Sequence, residues 1–229
     1  MEFWQDFAPR TDRAAWTSDY AAQMPDGTAL ALPLRDLGET AVAGFVANQA
    51  SFAVVHRLLA WMAQVARPLG AEVVVGLPSL GQVFAPAVAE ALGHANWVAP
   101  GWSRKRWYEE RLSVAAHSIT SPVERRLWLD PRLLPRLAGR RVLLVDDVVS
   151  TGTSARAGLA LLAAAGVRPA AMLVAMAQGD RWVADWPADI PVRAVFATPI
   201  FRRGAEGWMP IPGSAPHQIC PLITKDLAA

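Results

Sequence analysis

The stretch "RVLLVDDVVSTGTSARAG", residues 141–158, restricts the fold of this chain more than any other. An apolar, β-branched run ends in two adjacent carboxylates, Asp146 and Asp147. Small hydroxyl and glycine residues follow, and then a helical pattern. Neighbouring carboxylates at the end of a buried strand repel each other and lose hydration. A chain that keeps them there gains something from them, and in an open parallel sheet ligands bind beyond the carboxyl ends of the strands.

The surrounding sequence supplies such a sheet. "EVVVGL" (72–77), "AAMLVAMA" (170–177) and "PVRAVFA" (191–197) read as buried strands, and "NWVAP" (96–100) as a shorter one. "VFAPAVAEALG" (83–93) and "SARAGLALLAAAG" (154–166) read as helices with glycine stops. Strands alternating with helices predict an α/β fold, a parallel sheet with helices on both faces. Apolar residues recur at helical spacing from Glu39 to Arg67 and stop at Pro68–Gly70, which predicts a long helix. "DYAAQMPDGTALALPL" (19–34) predicts a hairpin around Pro-Asp-Gly. Residues 101–126 are charged and aromatic without clean periodicity, and "RLWLD" (126–130) resumes extended structure. The tail from Thr198 is expected to cap the carboxyl edge of the sheet.

Bulk properties exclude several classes. At 229 residues the chain suits one domain with elaborations. A formal charge of +2 gives no footing for nucleic acid. The lone cysteine, Cys220, excludes an internal disulfide and fits a cytoplasmic location. The acidic, aromatic start "MEFWQDFAPRTD" is unlike a secretory signal, and no apolar run is long enough to span a bilayer.

The loop after the carboxylates has a chemistry of its own. Small residues let successive N–H groups converge, and the hydroxyls of Ser150, Thr151, Thr153 and Ser154 add donors around Gly152. The dipole of the following helix favours an anion, so the loop reads as a phosphate cradle. It lacks both the lysine of GxxxxGK[ST] and the pattern GxGxxG. Carboxylates just upstream are placed to accept the hydroxyls of a ribose. The ligand described is therefore a ribose 5-phosphate. An isolated Asp-Asp pair would more readily read as a strand cap with a solvated neighbour; the ordered sequence of strand, pair, hydroxyl loop and helix reverses that preference.

"VLLVDDVVSTGTS" resembles the phosphoribosyl pyrophosphate motif of the type I phosphoribosyltransferases, and the resemblance extends over roughly residues 39–200. "VVVGLPSLGQVFAPAVAEALG" (73–93) resembles the family's pyrophosphate loop and the helix after it. That likeness implies that the backbone of Ser79, Leu80 and Gly81 meets pyrophosphate; the alternative is a simple β–α turn. "SRKRWYEE" (103–110) resembles the basic segment that leads into the family's mobile catalytic loop, with Lys105 at the phosphate-facing lysine. Here the alternative is a solvated face.

The resemblance implies attack of a base nitrogen on C1 of phosphoribosyl pyrophosphate, with loss of pyrophosphate. Mg²⁺ is the implied cofactor, with Asp146 and Asp147 holding the ribose hydroxyls directly or through metal-bound water. Arg104 and Lys105 would serve the leaving group, and residues about 102–122 would form a lid. The implied architecture is a core over 39–197 and a hood built from 1–38 and 198–229. Ile200 and Phe201 are expected to stack on the base, core packing being the alternative for Phe201, and Gln178 to read its edge, a plain loop amide being its alternative. Ser150 occupies the fifth position of the Asp-Asp motif, where enzymes for 6-oxopurines commonly carry an acid. The single lysine in 103–118 and the His117–Ser118 pair depart from the orotate pattern. An adenine-like purine acceptor is therefore favoured. A non-purine acceptor and a non-catalytic regulator that senses phosphoribosyl pyrophosphate are the alternatives, although 1–38 is too short and proline-broken for a winged helix. A homodimer is expected, with no nucleic-acid or membrane partner.

Overall fold

The computed structural model describes residues 3–118 and 121–223, the side chains of 117–118 and 121–124 excepted. The chain begins with β1 (Phe7–Pro9), β2 (Asp19–Gln23), β3 (Thr28–Asp36) and β4 (Thr40–Ala43). Helix α1 (Phe52–Ala66) leads to β5 (Val73–Gly76), α2 (Gly81–Ala91) and a ribbon of β6 (Ser113–Ser118) with β7 (Ser121–Trp128). The short α3 (Leu134–Leu137) precedes β8 (Val142–Val149), α4 (Thr153–Ala164), β9 (Ala171–Gln178) and β10 (Val192–Thr198). Strands β11 (Ile200–Arg203) and β12 (Trp208–Pro210) follow.

Four strands form a parallel sheet in the order β10-β9-β8-β5. Their near-continuous apolar runs are what a sheet covered on both faces requires. Alternate residues go to opposite faces. Leu143, Val145 and Leu173 pack with Val54, Leu58 and Met62 of α1 and with Phe84 and Val88 of α2. Val142, Leu144 and Val174 pack with Leu161 and Leu162 of α4. The predicted parallel sheet with helices on both faces is therefore present.

A second, antiparallel sheet runs β1-β3-β4-β11-β12, with β2 also on β3. It contains the predicted hairpin, in the register Ala22↔Leu30, turning at Gly27 with φ 82°. It also corrects the long helix expected from Glu39. Thr40–Ala43 is a strand paired to both β3 and β11, and the helix starts only at Phe52. The apolar spacing was continuous across two elements because β4 is buried on both sides. Ser51 marks the real start, its Oγ accepting the Val54 N–H at 3.2 Å. This sheet draws β4 from inside the expected 39–197 core and β11 and β12 from beyond it.

Three further expectations are adjusted. Val98 of "NWVAP" makes a single parallel bridge to Val75 at the free edge of β5. Residues 113–118 and 121–128, without periodicity in sequence, pair as an antiparallel ribbon. Strand β8 runs on to Val149, so the two carboxylates lie within it instead of ending it. Positions 119–120 of the expected lid and 1–2 and 224–229 of the expected hood fall outside the described residues.

Candidate active site

The carboxyl ends of β5, β8 and β9 open onto a cleft of about 580 Å³, within the usual range of small-molecule sites. Its lining includes Ser79 and Leu80 before α2 and Ser150, Thr151, Thr153 and Ser154 before and within α4. Gln178 comes from β9, Val42 from β4 of the second sheet and Leu37 from the turn between β3 and β4. The sequence thus brought together the two loops and the β9 terminus that the structure assembles.

Beneath the hydroxyl loop, Asp146 and Asp147 are only 6% and 7% exposed. Asp146 Oδ1 accepts the Asp147 N–H at 2.9 Å, and the Gly81 amide also donates to Asp146. Burial, and then the charge of Asp147, pushes the Asp146 carboxyl well above the ordinary range. Burial pushes Asp147 up to about 6, against the opposing hydrogen bonds from Asp146 and the Val148 backbone. The pair is thus an under-compensated negative centre, suited to hydroxyl donors or a cation.

Gly152 closes the loop at φ 77° as the residue before α4, a conformation that favours glycine. A Cβ there would also fall 2.9 Å from Arg156 Nη1. The Thr151 and Thr153 hydroxyls lie 3.0 Å apart. With the first amides of α4 they make a donor-rich concavity at a helix N-terminus. On the opposite wall the Pro78–Ser79 peptide is cis.

Ser150 and Gln178 are joined. The Ser150 hydroxyl donates to Gln178 Oε1 at 2.5 Å and accepts from Arg181 Nη2 at 2.7 Å. Gln178 Nε2 donates to the Ala43 carbonyl at 2.6 Å, which ties the end of β9 to β4. The expected edge reader is already engaged with the second sheet.

Two expected base contacts stand elsewhere. Phe201 is fully buried and packs edge-on against Tyr20, with ring centroids 5.0 Å apart, so its ring belongs to the core of the second sheet. Ile200 presses on Gly179, its Cγ1 2.6 Å from where a Cβ would stand, and does not line the cleft. Lys105 is exposed and Arg104 is turned away, 3.5 Å from Glu110 and over the Trp128 ring at 5.1 Å. The cations that do line the cleft are Arg125 of β7 and Arg181, with Trp102 beside them. Sequence reasoning missed all three. Arg181, three residues beyond the end of β9, could have been found from the rule that ligands sit at strand carboxyl ends. Arg125 carried no local signal, because only the pairing of the ribbon brings it there.

The chain is similar to known proteins. Residues 42–193 match the family model described as phosphoribosyl transferase domain. An adenine phosphoribosyltransferase of Kineococcus radiotolerans is 32% identical over 135 residues, which cover 56% of this chain and 65% of that protein. The chain thus spans just under two thirds of that relative. An orotate phosphoribosyltransferase of Xanthomonas euvesicatoria is 52% identical over 40 residues, 18% of each chain. Among solved structures, the adenine phosphoribosyltransferase of Thermoanaerobacter pseudethanolicus superposes with a TM-score of 0.53 over 64% of this chain and 81% of that one. At 16% identity it supports the fold alone. From the matched span, which holds three of the four parallel strands, both loops and the carboxylate pair, the chain belongs to the phosphoribosyl transferase domain family.

Proposed function

We propose that this protein transfers the phosphoribosyl group of phosphoribosyl pyrophosphate to a ring nitrogen of a purine, adenine or a close 6-amino analogue, with release of pyrophosphate. The observation that carries this reading is the buried Asp146–Asp147 pair flanked by two anion-receptive loops, Ser79–Gly81 on one side and Ser150–Ser154 on the other. Ribose hydroxyls satisfy the carboxylates, and the 5-phosphate takes the Thr151, Thr153 and Ser154 hydroxyls and the α4 amides. The pyrophosphate lies along the Ser79–Gly81 backbone. Arg125 and Arg181 add positive charge where the leaving group departs. No side chain acts as a nucleophile; positioning and electrostatics lower the barrier.

The residues fit a magnesium ion that arrives with the substrate. Among the described residues no three of His, Cys, Asp and Glu gather as a metal cage, whereas burial holds both aspartates above the ordinary carboxylate range, a penalty that a cation would relieve. When bound, Mg²⁺ neutralises pyrophosphate and eases its departure. Asp146 and Asp147 would hold it, through water or through the ribose oxygens.

The base enters between Leu37 and Val42 at the second sheet, which we take as the hood, and the Ser150–Gln178 link. Ser150 is no proton acceptor of the strength a 6-oxopurine needs, which together with the adenine enzymes among the relatives favours a 6-amino purine. Arg104 and Lys105 reach the leaving group only on closure of the segment that carries them, and a dimer in a cytoplasmic setting suits the same reading. Pyrophosphate release measured with phosphoribosyl pyrophosphate, Mg²⁺ and adenine, hypoxanthine, guanine or orotate tests the proposal. Release with adenine well above the rest supports it, and release with no base contradicts it.

A further inference from the structure

A second cavity, of about 480 Å³, borders the antiparallel sheet at β2 and β12. It is bounded by residues 10–23 and by the chain around Pro199 and 210–217, and shares no lining residue with the cleft. We infer that it is a separate binding site for a small aromatic anion, a flat ring bearing a carboxylate or a phosphate.

Gln23 carries the argument. At 8% exposure it lines this cavity, yet its Nε2 has no hydrogen-bond partner among the described residues. Its orientation is fixed, since Oε1 accepts Arg10 Nη1 at 2.7 Å, which leaves two N–H donors unanswered. Buried donors without partners are rare and costly, and leucine would fill the same space without that cost. An acceptor supplied from outside accounts for the amide.

The rest of the lining specifies the acceptor. Arg10, Asp12 and Arg13 border the cavity; Asp12 is paired with Arg10 at 2.8 Å, so Arg13 supplies the charge that favours an anion. Arg13 stands over Trp16 at 5.4 Å, and Trp16 meets Tyr20 edge-on at 5.1 Å, giving an aromatic wall beneath a cation. Pro199, Ile211 and Pro212 face it with apolar surface. Burial, and then the charge of Arg10, lowers the His217 pKa, and its buried Nδ1 is a second polar atom without a partner among the described residues. Open donors and the Arg13 cation around an apolar slot describe a flat ring with an acidic head.

Calorimetric titration of the full chain with benzoate, phenyl phosphate and inorganic phosphate tests this. Binding of either aromatic anion, weakened roughly tenfold by Arg13→Ala and by Gln23→Leu but unchanged by Thr153→Ala, is expected. The two aromatic probes then tell a carboxylate site from a phosphate site. Arg13 is exposed, so its variant folds irrespective of Gln23. Absence of binding by both aromatic probes overturns the inference. So does binding that survives Arg13→Ala, or binding lost in Thr153→Ala, which would assign the anion to the cleft. None of these outcomes depends on transferase activity.

Discussion

Gly81 lies against Asp146 with no room for a side chain. A Cβ on Gly81 would fall 2.7 Å from Asp146 Cα and 2.8 Å from Asp146 Oδ1. The start of α2 is thereby locked to the first carboxylate of β8, and the Gly81 amide donates to that carboxylate. Two loops far apart in sequence are held as one site by this contact.

Gly81→Ala is expected to force the loop and β8 apart. The contact is with backbone and cannot be relieved by a rotamer change, so a loss of about 1–3 kcal/mol is expected. Chemical denaturation measures it. At a temperature where the variant is folded, its affinity for phosphoribosyl pyrophosphate should also fall. A variant with wild-type stability and affinity would show that the two loops are not coupled.

The carboxylate pair sets a pH dependence of stability. The folded pKa of Asp147, about 6, exceeds its ordinary 3.8, so the folded state binds more protons between these values. The contribution is fully present below the lower value and is lost as pH rises through about 6. Asp147→Asn should therefore melt above the unligated wild type near pH 8, by roughly 1–3 kcal/mol, and match it near pH 4. The same variant should bind phosphoribosyl pyrophosphate more weakly, by about 1.5–3 kcal/mol. Thermal unfolding across that range, with and without ligand, reads both effects.

Gln178→Leu should loosen the second sheet from the core. It leaves the Ala43 carbonyl without its 2.6 Å donor and Ser150 without its acceptor. The expected cost is about 1–3 kcal/mol, with the Michaelis constant for the base rising more than that for phosphoribosyl pyrophosphate. Equal effects on both constants would count against a base site at this link.

How much of this was legible in sequence depended on locality. Asp146, Asp147 and the Ser150–Ser154 loop stood out because strand, charge, hydroxyls and helix follow one another within eighteen residues. The parallel sheet was legible from apolar runs between helices. Thr40–Ala43 was not, since a strand buried on both sides keeps the apolar density of the helix it precedes. Phe201 and Arg125 show the same limit. Whether a ring faces a cleft or a core, and which arginine of a charged stretch reaches a site, is decided by pairing between distant strands.

Arg125 and Lys105 give a direct comparison. Arg125 lines the cleft, whereas Lys105 is exposed outside its lining. Arg125→Ala should lower affinity for phosphoribosyl pyrophosphate by roughly tenfold. Lys105→Ala should leave that affinity nearly unchanged and lower turnover if the segment closes during reaction. Steady-state kinetics with both substrates varied separates the two. A Lys105 variant with unchanged turnover would make that residue a solvated surface cation.

The proposed reaction is transfer of a phosphoribosyl group to an adenine-like base at the Asp146–Asp147 pair and its two loops. Mg²⁺-dependent release of pyrophosphate from phosphoribosyl pyrophosphate, followed with and without adenine, tests it most directly in wild type beside Asp147→Asn. Release is expected to require adenine, to yield the adenine mononucleotide in equal amount, and to fall at least about tenfold in the variant. Wild-type release that is indifferent to adenine, or a variant as active as wild type, would contradict it.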